Sequence, residues 1–252
     1  MKQSNASRSN GAPARGEDTA AAPTLPSWVH AAGACAAWQI DWHVPALGSE
    51  DDTVGSRDES PESDRDLSLA ESLDESLAKS LAESLDRRIE ALRQRDPRYR
   101  DAPLAWLLDA GSLTLRLKRL CRERFQVALA EEGWSPAGAA AHTMSPEPAA
   151  SSTSFWSRKV VLMGDGQPWV YAHTLVPERA LEGELREVLA LGQRPLGEWL
   201  FEHPTLRRSA IEIAQVSEQL WGRRSWFFVD ERPILVAEFF LEALASRPVP
   251  RA

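Results

Sequence analysis

Residues Trp226 to Leu241 read WFFVDERPILVAEFFL, two apolar runs separated by a short polar cluster at Asp230, Glu231 and Arg232. Alternate residues of a strand share a face, so Ile234, Val236, Glu238 and Phe240 point one way while Leu235, Ala237, Phe239 and Leu241 point the other. Both faces are apolar except at Glu238. An ionised carboxylate buried without a partner costs several kcal/mol or more, so such a group finds a cation, takes up a proton or reaches water. Two readings of the alternation stay open: Glu238 lies at a wet sheet margin, or it forms the polar end of a pocket.

Outward from this hairpin the chain keeps reading as sheet. Arg208 to Gln215 (RSAIEIAQ) alternates, and Pro195 to Phe201 (PLGEWLF) is a short apolar turn. Pro177 opens a helix through Leu181, Leu185 and Leu189 that Gly192 closes. Arg158 to Met163 (RKVVLM) and Trp169 to Val176 (WVYAHTLV) flank the turn cluster Gly164 to Pro168, which joins two antiparallel strands. Phe125 to Ala130 (FQVALA) is a further strand, and Pro136 to Thr153 is an Ala-, Ser- and Pro-rich loop. Pro103 starts a short helix ended by Gly111, and Ser112 caps a second through Leu113, Leu117 and Leu120. The sum is an α+β domain: a six-stranded antiparallel sheet, largely in hairpin or meander order, with helices on one side.

The rest of the chain is a different polymer. Between Met1 and Asp86 stand 16 acidic and 6 basic residues among Ala, Ser and Pro, a composition that rarely buries a core. Residues 1 to about 66 are expected to be disordered. Trp28, Trp38 and Trp42 are unusual in such a tail and read as a sticky linker or as anchors that dock back on the core. From Ser68 to Asp86 a repeat (SLAE, SLDE, SLAK, SLAE, SLD) places leucines at 69, 73, 77, 81 and 85. A four-residue step drifts about 40° per repeat on a helix, so the leucines form a broad stripe rather than a coiled-coil seam. The expected division is an extension over residues 1–100, with a helix within 68–95, and a folded domain over 101–245.

Charge and composition exclude several classes. A net charge of −8 argues against nucleic-acid binding, and the arginine-rich run Arg87 to Arg100 is too short to reverse it. Cys35 and Cys121 stand far apart with no ligand-like neighbours, so neither a disulfide framework nor a zinc site is indicated. No run of about 18 apolar residues exists to span a bilayer. A cytoplasmic monomer without stable membrane insertion is expected.

Phosphate-binding glycine loops, GxSxG and HExxH are absent, and the five histidines are scattered. His173 in a strand and His203 in a loop read as structural, and Asp165 as turn chemistry. Arg158 shares its strand face with Val160 and Leu162, a second charge in an apolar row. A buried cation and a buried carboxylate on one sheet are expected to neutralise each other, either as a structural ion pair or at a ligand site. Arg223 and Arg224, after Trp221-Gly222, read as an anion site or a solvated strand entrance.

The blocks WSRKVVLMGDGQPWVYAHTLVP, GQRPLGEWLF, IEI, LWGRRS and PILVAEFF resemble the chorismate lyase family, in that family's order, between Trp106 and Leu241. The resemblance implies a six-stranded antiparallel sheet whose helices enclose a ligand cavity. It also implies conversion of chorismate to 4-hydroxybenzoate and pyruvate for ubiquinone synthesis, with no cofactor and no metal. The family's ligand residues fall on Arg158, Glu238, Leu196 and Leu113, with Arg158 and Glu238 implied as the catalytic pair. Leu113 replaces a methionine found in better-known members, and His173 stands where the family often has arginine. Effector-binding domains of certain transcription regulators resemble the same fold, and a non-catalytic sensor is the competing expectation; its basic helix-turn-helix has no counterpart in this acidic N-terminal part.

Overall fold

The computed structural model describes residues 40–45, 64–135 and 154–250. The loop Pro136 to Thr153 and, apart from Ile40–Pro45 and the residues from Asp64 on, the segment expected to be disordered lie outside the described residues, as do Trp28 and Trp38.

In chain order the elements are helix α1 (Asp64–Arg95), short helix α2 (Leu104–Leu107), α3 (Leu113–Leu120), strands β1 (Phe125–Ser135), β2 (Phe155–Gly164) and β3 (Gln167–Pro177), helix α4 (Leu196–Phe201), strands β4 (Arg207–Arg208), β5 (Glu212–Ser217), β6 (Leu220–Val229) and β7 (Arg232–Phe240), and a terminal turn of helix α5 (Glu242–Ala245). The segment after Pro177 is helical as expected but coils as two 3-10 pieces, Glu178–Ala180 and Gly183–Ala190. No helix among the described residues is long and apolar enough to cross a membrane.

The strands form one antiparallel sheet ordered β1-β2-β3-β7-β6-β4, with β5 also pairing β6. Among the described residues seven strands replace the expected six because Arg208 to Gln215 does not run unbroken. Arg208 stands opposite Phe227 and Glu212 opposite Arg224, so three residues on one strand face two on β6. Ser209 bridges this bulge: its N–H donates to the Trp226 carbonyl at 2.8 Å, and its Oγ accepts from the Trp226 N–H at 3.0 Å. A second difference concerns LWGRRS, which is no strand entrance. It is the first half of β6, and Arg223 and Arg224 pair with Glu238 and Ala237 of β7 in mid-sheet.

Two tight turns hold the register. Asp165 and Gly166 both have positive φ, 51° and 74°, as a two-residue hairpin loop requires. The Asp165 carboxylate does more than form a turn: it accepts from the N–H groups of Arg122 and Glu123 at 2.9 and 2.8 Å, tying the entry of β1 to the β2-β3 hairpin. Pro233 is tolerated in β7 because the pairing of β7 with β3 starts only at Leu235.

The two faces of the sheet pack against different things. The face bearing Val160, Leu162, Val170, Ala172 and Phe240 lies under α2 and α3, with Trp106, Leu107, Leu113 and Leu117 in the contact, and Ile89 and Leu92 from the end of α1 join the same cluster. Toward the other end of that face, Val236 and Ile234 meet Leu185, Val188, Leu196 and Trp199. Of the repeat's leucines, Leu85 lies partly buried against the first cluster. The outer face carries Val161, Tyr171, Leu235, Ala237 and Phe239, and Ile40 and Trp42 pack on it. Trp42 therefore docks back on the core, 6.0 Å from the Phe239 ring, while His43 forms an antiparallel bridge with Ile213.

Candidate active site

The helix-bearing face is not filled everywhere. Beneath α3 and α4 it leaves a cavity whose empty space, counted with its open mouth, is about 570 Å³. Leu113, Arg158, Leu196 and Glu238 all line it, together with Arg208 and Arg223 and an apolar wall that includes Val160, Leu162, Phe227 and Val236. The four residues singled out from the sequence are therefore brought together.

Leu113 and Leu196 are the first residues of α3 and α4. Ser112 caps α3 by accepting from the Leu115 N–H, as its position predicts. The first N–H groups of a helix have no acceptor inside it, so both helices turn main-chain donors toward their starting ends. Close packing of the two helices depends on Gly197, where a Cβ would come within 2.7 Å of Thr114 Oγ1. Lys118 of α3 and Glu198 of α4 form an ion pair that links the same helices.

Arg158 is 1% exposed and projects from β2 into the cavity lining. Its Nη2 donates to the carbonyls of Gly192 and Arg194 at 2.8 and 3.2 Å. Among the described residues its Nε is a buried donor without a hydrogen bond, and the nearest carboxylate, Glu132, lies 3.9 Å away, outside bonding distance. Burial pulls the guanidinium's pKa below its ordinary value, with Glu132 opposing, but an arginine has ample margin to stay charged.

The expected mutual neutralisation of Arg158 and Glu238 does not occur. β3 lies between β2 and β7, and Arg158 and Glu238 stand in different cross-strand rows, Arg158-Thr174-Val236 and Val160-Ala172-Glu238. Strand spacing and rise put their backbones roughly 12 Å apart. The partner of Glu238 is Arg223, directly opposite on β6: Nε donates to Glu238 Oε2 at 2.6 Å, with side-chain exposures of 1% and 14%. Arg223 Nη1 also donates to the carbonyls of Trp106 and Asp109, at 3.0 and 2.5 Å, so the end of α2 clamps the pair. The guanidinium lies over the Phe240 ring, 5.5 Å from its centroid. Glu238 is thus neither at a wet margin nor unpaired: it is held at the wall of a cavity by a committed arginine.

Arg208 also lines the cavity and was not singled out from the sequence. Its Nε donates to Ser225 Oγ and its Nη1 to the Ala110 carbonyl, both at 3.1 Å, and its guanidinium stacks 4.9 Å from the Phe227 ring. Burial, and then the like charge of Arg223, lower its pKa to about 10, against the pull of Glu238 and Asp109. The only available signal in the sequence was positional: Arg208, like Arg158, opens an alternating stretch, whereas Arg223 already reads as part of a candidate anion site.

The two histidines weighed from the sequence are elsewhere. His173 is buried on the outer face, its Nε2 2.9 Å from Ser157 Oγ, and burial with the nearby Lys159 lowers its pKa to about 3. His203 Nδ1 contacts the Trp199 carbonyl at 2.6 Å, outside the cavity lining.

A family model described as chorismate lyase matches residues 92–248, which include every residue of the cavity lining. The chain belongs to the chorismate lyase family. Among its relatives, a probable chorismate pyruvate-lyase of Photobacterium profundum is 41% identical over 147 residues, spanning 57% of this chain and 78% of that one. The chorismate pyruvate-lyase of Proteus mirabilis is 39% identical over 140 residues (56% and 80%), and that of Erwinia tasmaniensis 37% over 155 (62% and 87%). A solved structure of the C-terminal domain of histidine utilization repressor from Pseudomonas syringae aligns at a TM-score of 0.38 and 11% identity, over 51% of this chain and 99% of that one, a likeness too slight to bear on fold or function. The chorismate lyase match begins at residue 92, so the docked Ile40–Pro45 segment and most of α1 lie outside it.

Proposed function

We propose that this cavity converts chorismate to 4-hydroxybenzoate and pyruvate, with Arg158 and Glu238 at its two polar ends. The reaction breaks the ether bond at C3 of the ring and removes the hydrogen at C4, and the gain of an aromatic ring drives it. The protein then has to supply orientation, exclusion of water and stabilisation of charge developing on the leaving oxygen. The observation that carries the reading is that Arg158, Glu238, Leu113 and Leu196 line one largely apolar cavity in a chain of this family.

Arg158 binds the ring carboxylate through its free Nε edge, joined by main-chain N–H groups of Leu113 and Leu196 at the starts of α3 and α4. Because those contacts are made by the backbone, leucine in place of methionine at position 113 changes little. Glu238 accepts from the 4-hydroxyl, and Arg223 keeps it oriented. The C4 proton then leaves by one of two balanced routes. Either Glu238 takes it and the enolpyruvate is protonated separately, or it passes directly to the methylene of the leaving enolpyruvyl group, which departs as pyruvate. Deuterium at C4 distinguishes them: the direct route retains it in the pyruvate methyl group, and the Glu238 route loses it to solvent.

The catalytic unit is residues 101–245, acting as a cytoplasmic monomer without nucleic acid, and residues 1–100 form an extension outside the chemistry. An apolar enclosure suits an aromatic product, so 4-hydroxybenzoate is retained tightly. Incubation of the full chain with chorismate should release 4-hydroxybenzoate and pyruvate in equal amounts. Binding of either ring compound without turnover would overturn the enzymatic reading in favour of an effector-binding module.

A further inference from the structure

The cavity holds three arginines and one carboxylate, and the arginines are not equivalent. Arg223 is neutralised by Glu238 and spends Nε and Nη1 on protein acceptors. Arg158 lies on β2, at the far side of Glu238. Arg208 bonds only to a hydroxyl and a carbonyl, both neutral, and among the described residues it meets no carboxylate at ion-pair distance. The strand order puts Arg158 and Arg208 on either side of β7, four strand spacings or about 19 Å apart at the backbone.

We propose that Arg208 distinguishes substrate from product by binding the second carboxylate of the substrate, the one carried on the enolpyruvyl side chain. This rests on the assignment of Arg158 to the ring carboxylate and Glu238 to the 4-hydroxyl. The ether carbon is the ring neighbour of the hydroxyl carbon and lies away from the ring carboxylate. The side chain therefore projects from the Glu238 end of the cavity, where Arg208 stands and Arg158 does not reach. Stacking on Phe227 and the bonds to Ser225 and Ala110 fix the plane of the guanidinium and leave Nη2 without a partner among the described residues, so its fork is preorganised for a carboxylate. A carboxylate there also relieves the repulsion between Arg208 and Arg223, which depresses the pKa of Arg208. The product has lost this group and should not sense Arg208.

The test compares chorismate turnover with product inhibition in Arg208→Gln. The expected result is a fall in kcat/KM for chorismate of about 100-fold, the size of effect found when one partner of a buried charge pair is removed. The inhibition constant of 4-hydroxybenzoate should stay within about threefold of the parent value, which also reports that the cavity is intact. Equal losses for chorismate and 4-hydroxybenzoate would overturn the proposal and make Arg208 a wall of the cavity; unchanged chorismate turnover would overturn it too. If Arg208→Gln does not fold, Arg208→Lys serves: it keeps the charge but not the fork, and should lower kcat/KM for chorismate about tenfold with product inhibition unchanged. A parent protein that leaves chorismate intact refutes the reaction itself, whereas an active parent and an equally active Arg208 variant refute only the role of Arg208.

Discussion

The two faces of this sheet are made by the same strands, one residue out of phase, and they do opposite things with polar groups. On the inner face Arg158, Arg223 and Glu238 border the cavity; Arg158 is fixed by the carbonyls of Gly192 and Arg194 and Arg223 by those of Trp106 and Asp109, while Glu238 is held by Arg223. On the outer face Ser157 Oγ and His173 Nε2 are hydrogen-bonded, and Val161, Tyr171 and Phe239 of the same face form a packed cluster with Trp42 against it. Burial is alike on both, with Arg158 and His173 each 1% exposed. What separates a candidate site from a packed core is the clamp that α2 and the segment before α4 supply, and it reaches one face only.

Substitutions should respect that difference. The largest effect is expected at the cavity ends: Arg158→Ala and Glu238→Gln should each lower kcat/KM for chorismate by about a thousandfold in protein that remains folded, the loss typical of a group acting in the transition state. Normal chorismate consumption by either variant would erase the functional distinction between the faces. Arg223→Met comes next. It strands the Glu238 carboxylate, so unfolding in urea should show a loss of about 3–5 kcal/mol, which adding Glu238→Gln in the same chain should partly restore. Without that coupling, Arg223 is not the group that holds Glu238.

Gly197→Ala should act on ligand binding rather than folding. Its Cβ would press on Thr114 Oγ1 and part α3 from α4, weakening 4-hydroxybenzoate about tenfold in a titration, and Thr114→Ala should rescue it. The smallest effect on turnover belongs to the outer face: His173→Gln should stay within about twofold of the parent. Its signature is in stability against pH. The folded pKa of about 3 lies below the ordinary 6.5, so the unfolded chain binds the extra proton and stability falls as pH drops between those values. The slope contributed is at most ~1.4 kcal/mol per pH unit, and urea unfolding at a series of pH values should show it flattened in the variant.

Much of this was legible because strand alternation is a local property. The hairpins at Asp165-Gly166 and Asp230-Glu231, the Ser112 cap and the even-numbered inner face of β2 and β7 follow from residue order alone. The extent of β6 was not legible, because two adjacent arginines after Gly222 lack the apolar signature of a strand. They are tolerated there because Arg223 has Glu238 and the end of α2 as partners, while Arg224 stacks on Trp42 and pairs with Glu212. Nor was the break between Arg208 and Glu212 legible, since a bulge of one residue leaves no compositional mark.

By itself, then, the sequence determined the α+β class, the hairpin pairing of strands adjacent in the chain, the chorismate lyase family and the two charges that belong on one face, because each depends on periodicity or on motifs along the chain; the pairing of β3 with β7 departs from a simple meander. Only the tertiary structure decided which charges meet. Inserting β3 between β2 and β7 carries Arg158 away from Glu238, and the return of β6 beside β7 brings Arg223 onto it. Charge pairing falls off with distance in space, and spatial order across a sheet is set by long-range strand pairing that no local pattern records.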